Sequence, residues 1–177
     1  MTDRRSRMHQ VRLDGVDRHE GFDGAFALAA FRVNRYVVDH VLKAARLLAD
    51  GDLEALVVWS VVVTHNLAHL MPPGTHPAAI LTRHGSLPAT DELLRPVRLR
   101  DVAAVTGIPR ETVRRKLVML AARQSLLRKP GGWVVNRPWM DRTMREFTRD
   151  SAHRLLGAAL EVRFALDHAD STPPAGL

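Results

Sequence analysis

The sequence predicts a mainly α-helical chain carrying one small β-hairpin. Three observations lead there. Apolar residues recur at steps of three and four from Phe26 to Leu48 and again from Met144 to Leu166, the period of an amphipathic helix. Two short apolar runs flank Pro130-Gly131-Gly132 in "SLLRKPGGWVVN", the pattern of two strands joined by a tight turn. The prolines fall between the periodic blocks and not inside them, as they must if those blocks are helices.

Residues 1–20 are polar and aperiodic and read as a disordered tail. Residues 21–71 read as a helical pair. The first helix starts near Asp23 and aligns Phe26, Ala30, Val33, Val37, Val41, Ala44 and Leu48 on one stripe. Gly51 punctuates its end, and Asp52 is a plausible N-cap for the second helix. That helix is apolar almost all round from Val57 to Val63, so it should be buried, in this chain or against a second copy. "LEALVVWSVVV" is too short to cross a bilayer. "MPPG" ends the pair.

Residues 72–95 are a connector rich in proline and glycine, with a possible helical turn at Thr90–Leu94. Residues 96–137 form the block discussed next. Residues 138–167 hold a C-terminal helix, from Met140 to about Leu166, with Met144, Phe147, Ser151, Leu155, Ala158, Val162 and Leu166 on one stripe. Residues 168–177 are a tail.

The chain has 177 residues, 46% of them apolar, enough for one core with helical additions. It has no cysteine, so disulfides and thiolate chemistry are excluded. "MTDRRSRMHQVRLDGVDRHEG" has no apolar h-region and does not read as a secretory signal. The net charge of +7 is unevenly spread. Between Arg95 and Lys129 ten cations face Asp101 and Glu111, a local excess of +8, while the rest carries sixteen cations against seventeen carboxylates. Such clustering is the footprint of a module that binds a polyanion. Arginine outnumbers lysine 23 to 3, a bias that a GC-rich genome also produces, so the clustering and not the arginine content carries this inference.

Within that block, Leu99 to Val105 reads as a short helix with Leu99, Val102 and Ala103 inward. Thr106-Gly107-Ile108 is a tight turn in which glycine takes positive φ freely and Ile108 plugs the crossing. Pro109 pre-sets φ for a second helix. That helix buries Val113, Leu117 and Leu120, which span roughly 60° of its surface at 100° per residue. Arg115 then falls opposite them, and Arg114 and Thr112 lie on the flanks. "SLLRK", "PGG" and "WVVN" supply strand, turn and returning strand, with Trp133 anchoring the hairpin.

"DVAAVTGIPRETVRRKLVMLAARQSLLR", with Ala103 four residues before Gly107 and Val113 six after it, resembles the winged helix-turn-helix of bacterial transcriptional regulators. The nearest versions are the GntR-like and cyclic-AMP-receptor-like ones. The resemblance covers about 42 of the 177 residues and includes the wing. It implies that the second helix enters the DNA major groove by its N-terminal half. Arg110, Glu111, Thr112, Arg114 and Arg115 are then the candidate base readers, because arginine pairs with guanine O6 and N7 and glutamate accepts from cytosine N4. Arg98, Arg100 and Lys116, with Arg128 and Lys129 at the wing, are the candidates for phosphate or minor-groove contact. Lys116 departs from the pattern: it stands where such helices carry an apolar residue, and its stem is expected to pack while its ammonium reaches solvent or phosphate.

His65 and His69 lie at i, i+4, with His76 and His84 nearby, a spacing that could bind Zn²⁺ or Ni²⁺. Position 66 is Asn, so the His-Glu-x-x-His motif is absent, and polar residues at a helix end are the preferred reading. No catalytic set, phosphate loop or cofactor motif is present. The expectation is a mainly helical winged helix-turn-helix protein flanked by long helices. It is a cytoplasmic, nucleoid-associated bacterial transcriptional regulator, not an enzyme and without a cofactor. It binds double-stranded DNA as a homodimer built on the flanking helices, since paired half-sites call for two-fold symmetry. The alternatives are a winged helix that docks a protein partner and a metal-sensing form of the regulator.

Overall fold

The computed structural model describes residues 19–70 and 93–169. The chain is mainly helical with one small antiparallel sheet. The elements are α1 (His19–Ala49), α2 (Leu53–Leu67) followed by a 3₁₀ turn (Ala68–Leu70), α3 (Leu99–Thr106), α4 (Arg110–Ala122), β1 (Leu126–Lys129), β2 (Gly132–Val135) and α5 (Arg137–His168). The expectations for the two tails, most of the connector and the turn at Thr90–Leu94 fall largely outside the described residues. Packing divides the chain into two units, residues 1–41 with 148–177, and residues 42–147.

The second unit holds the core. Asp50 (φ 52°) and Gly51 (φ 86°) turn the chain between α1 and α2, and Asp52 caps α2 by accepting the Ala55 N–H at 3.0 Å. Ala55, Leu56, Val58, Trp59, Val62 and Leu67 are buried. The stretch Leu53–Leu70 has a mean hydropathy of 1.3, so by length and composition it is a weak candidate for a membrane span. Its buried face packs on α3, α4 and β2, the behaviour of a core helix. Val102 of α3 and Val113, Leu117 and Leu120 of α4 are fully buried, each worth about 1.5–3 kcal/mol of transfer. The α4 stripe is therefore the one that the spacing predicts. Gly107 ends α3 in the left-handed region (φ 69°), and Thr106 Oγ1 donates to Val102 O at 2.8 Å and accepts the Ile108 N–H at 3.2 Å. Pro109 is the N-cap of α4, with φ −53° at the helix entry.

β1 and β2 pair in register Leu126–Val135 to Lys129–Gly132. A third segment, not foreseen, joins them: Val97 bridges Trp133, with N–H···O distances of 3.1 and 2.8 Å. α5 starts at Arg137 rather than Met140, because Pro138 falls in the first turn, where its missing N–H costs nothing.

The first unit pairs α1 with α5. Gly24 approaches Ala169, and Arg32 Nε meets Glu161 Oε2 at 2.7 Å, so the numbering falls on α5 as it rises on α1 and the helices run antiparallel. The α1 stripe is only partly covered within the chain. Ala25 and Ala29 are buried, whereas Phe26, Val33, Val37 and Val41 are exposed. The stripe is covered at its C-terminal end, where Ala44 and Leu48 enter the core of the second unit. On α5, Ser151 is buried, while Leu155, Leu156, Leu160 and Phe164 are exposed.

Candidate nucleic-acid interface

α4 holds the candidate surface. Its buried stripe fixes which residues face outward: at 100° per residue Glu111, Arg115 and Val118 fall opposite Val113, Leu117 and Leu120, Arg114 lies on the flank, and Arg110 lies beside the stripe in the first turn. Arg110, Glu111, Arg114 and Arg115 are exposed, and Thr112 is half-buried. The cations are not equivalent. Arg114 lies side-on to Glu111: Nε donates to Oε2 at 2.9 Å and to Oε1 at 3.1 Å, and Nη2 donates to Oε1 at 2.7 Å. The bonds from Arg114 hold the Glu111 carboxyl below its usual range, and the same pair raises the Arg114 guanidinium. Arg115 makes a long contact of 3.5 Å from Nη2 to Thr112 Oγ1.

Lys116 departs from the expectation of an ammonium free for solvent or phosphate, because it is paired within the fold: Nζ lies 2.5 Å from Asp52 Oδ2 and 3.3 Å from Glu54 Oε2, and its side chain is 20% exposed. The bond to Asp52 raises the Lys116 ammonium above its usual range. At Asp52 burial pushes upward, but the bonds from Lys116 and the Ala55 N–H outweigh it and the carboxyl stays low. One carboxylate thus caps α2 with Oδ1 and holds α4 with Oδ2. Farther along α4, Arg123 pairs with Asp50, so the corner between α1 and α2 grips α4 at two points.

The remaining candidates flank α4 in sequence. Arg98 is exposed at the N-cap of α3 and makes no side-chain cap bond. Arg100 meets Asp101 at 3.4 Å with both side chains largely in solvent. In the hairpin, the Arg128 guanidinium lies 5.1 Å from the centre of the buried Trp133 ring, and Lys129 is half-buried. Trp133 anchors the hairpin as expected.

A residue with no assigned role in the sequence holds the hairpin in place. Asn66 of α2 is fully buried. Its Nδ2 donates to Arg95 O at 2.7 Å and to Trp133 O at 3.2 Å, and its Oδ1 accepts the Val135 N–H at 2.8 Å. The signal was its place on the apolar face, four residues after Val62, where an amide is costly unless backbone groups satisfy it. Next to it, Gly132 has φ 154°, and a Cβ there would lie 2.2 Å from Val97 O. The second glycine of "PGG" is therefore required by the close approach of Val97.

His65 is exposed near the end of α2 and His69 is half-buried in the 3₁₀ turn. His76 and His84 lie outside the described residues. Among the described residues no three His, Cys, Asp or Glu side chains gather as a metal site. No family model, curated protein or solved structure matches the chain.

Proposed function

We propose that the protein is a sequence-specific DNA-binding transcriptional regulator of the winged helix-turn-helix kind, acting in the bacterial cytoplasm, with α4 in the major groove and the β1–β2 hairpin as its wing. The observation that carries this is the outer face of α4. Arg115 is exposed opposite the fully buried face of the helix, with Arg114 exposed on the flank and Arg110 exposed in the first turn, so the cations are presented on a rigid element. Arg98, Arg100 and Arg128 supply further exposed cations on neighbouring segments. A helix of this length presenting its N-terminal half fits a groove about 12 Å wide. The function is binding and involves no chemical step.

The regulator acts as a homodimer. What supports this is the apolar surface of the first unit: Phe26, Val33 and Val37 on α1, and Leu156, Leu160 and Phe164 on α5, are all exposed. Two helices cannot cover such faces by themselves, and a contiguous exposed apolar patch marks an interaction site. A second copy is the occupant, because it offers the same two stripes in return and gives the two-fold symmetry of paired half-sites.

Selection of bound fragments from random duplexes tests this. An enriched motif repeated at a spacing of about 10 base pairs, with binding that weakens as salt rises, is the expected result. Absence of salt-sensitive DNA binding would favour the second reading, a winged helix that docks a protein. That alternative draws on Val105 and Val118, apolar side chains 72% and 50% exposed on α3 and α4.

A further inference from the structure

We propose that Arg114 reads a guanine in the half-site and that Glu111 is the positioning residue that makes this arginine a base reader rather than a phosphate ligand. This rests on the DNA-binding reading above and goes beyond it by dividing the α4 cations according to task.

A guanidinium has two bidentate edges, one formed by Nε and Nη2, the other by Nη1 and Nη2. Glu111 occupies the first: all three contacts go to Nε and Nη2. The second edge stays open. The two residues stand three apart on one helix face, so the carboxylate holds the guanidinium in one orientation and reduces the rotamer freedom that a free arginine would lose on binding.

The charge of the pair decides the ligand. Glu111 and Arg114 together are neutral, so the pair releases no counterion from a phosphate and would bring a carboxylate toward a phosphodiester. A neutral acceptor surface suits it better. In the major groove guanine offers two adjacent acceptors, O6 and N7, which match two parallel N–H groups. Adenine pairs an acceptor with a donor, cytosine offers a donor, and thymine a single acceptor beside a methyl group. Glu111, with its carboxylate committed to Arg114, is not itself a reader of cytosine. Arg115 has no carboxylate among its hydrogen-bond partners, only the long Thr112 contact, and keeps its charge for the backbone.

The test compares wild type, Glu111→Gln, Arg114→Ala, Arg114→Ala/Glu111→Gln and Arg115→Ala. Each is put through selection from random duplexes and salt titration on the selected and a scrambled duplex. All three sites are exposed, and thermal melting checks that the variants stay folded. Arg114→Ala is expected to lose one guanine preference by tenfold or more, and the loss persists in Arg114→Ala/Glu111→Gln, which leaves no unpaired carboxylate and keeps the wild-type salt slope on scrambled DNA. Glu111→Gln frees the arginine, so it binds scrambled DNA several-fold tighter, steepens the slope by about one and weakens the same guanine preference. Arg115→Ala flattens the slope by about one. The proposal is overturned if Arg114→Ala/Glu111→Gln flattens the slope and leaves base preference intact, or if Glu111→Gln keeps the guanine preference unchanged. Failure of the wild type to bind DNA would instead remove the function proposed above, and a wild type that binds without selecting a motif would remove base reading alone.

Discussion

The side chain of Lys116 shows how a single residue changes meaning with its surroundings. Its position at the edge of the buried stripe is legible in the sequence. Its partner is not, because Asp52 lies 64 residues away and periodicity carries no information across such a distance. The contact makes Lys116 a brace between α4 and the N-terminus of α2. Asp52→Ala removes both a cap and a half-buried pair, and should cost about 1–2 kcal/mol. Asp52→Asn retains a capping oxygen and should cost less. Lys116→Met should cost up to about 1 kcal/mol, and it should leave the salt slope of DNA binding unchanged, since its charge is already spent. A double-mutant cycle by denaturant unfolding measures the coupling. The pH dependence follows from the two shifts. Asp52 is held low, so its share is present above its ordinary value of 3.8 and fades as pH falls through the folded value. Lys116 is held high, so its share is present below its ordinary value of 10.5 and is lost as pH rises through the folded value. The difference between wild type and Lys116→Met should therefore be flat from about pH 5 to 10 and shrink outside that window. A difference that varied within it would remove the pair as its source.

At the scale of elements, the hairpin depends on contacts made outside its own strands. Four residue pairs make a marginal ladder. Val97 extends the pairing at Trp133, and Asn66 satisfies the backbone of β2 at two neighbouring points. Asn66→Ala would strand the buried Val135 N–H and weaken the hold on Trp133, for about 2–4 kcal/mol in all. Gly132→Ala would drive a methyl group into Val97 O and force the two segments apart, for about 1–3 kcal/mol. Hydrogen exchange should show hairpin amides losing protection in both variants while α2 and α4 keep theirs in Gly132→Ala. Uniform loss across the second unit would show instead that the hairpin and core unfold as one. The helices of this unit were readable because one apolar stripe has one place to go: Val113, Leu117 and Leu120 are buried as their spacing demands. The hairpin was readable from "PGG" and its flanks. What held it was not, since Asn66 follows Thr64 and His65 in a run that reads as a polar helix end, and its partners lie 29 to 69 residues away.

At the scale of the molecule, the chain is divided in how it uses its apolar surface. The second unit encloses its own core, and the first leaves its largest side chains in solvent, with Leu160 at 70% and Phe164 at 64% exposure. The α1 stripe is legible as an apolar face, but a periodic pattern does not say which chain covers it: Ala44 and Leu48 are buried while Phe26, Val33 and Val37 are exposed. If a second copy covers α1 and α5, the stability of the first unit depends on protein concentration. Leu160→Glu is the sharpest probe, because an exposed glutamate costs nothing in a monomer but would be buried without a partner in the dimer. Loss of the leucine alone removes about 1.5–3 kcal/mol per copy. Two copies give about 3–6 kcal/mol, more than a hundredfold in the dissociation constant. Sedimentation should therefore find a dimer for the wild type and a monomer for Leu160→Glu at the same micromolar concentration. DNA binding supplies the second readout. Two tethered reading helices bind paired half-sites with an effective local concentration that one cannot match. The monomeric variant should lose most affinity for the paired site and little for a single half-site, whereas equal losses on both duplexes would place the damage in the reading unit itself. A wild type that sediments as a monomer would leave the stripes of α1 and α5 to a different partner.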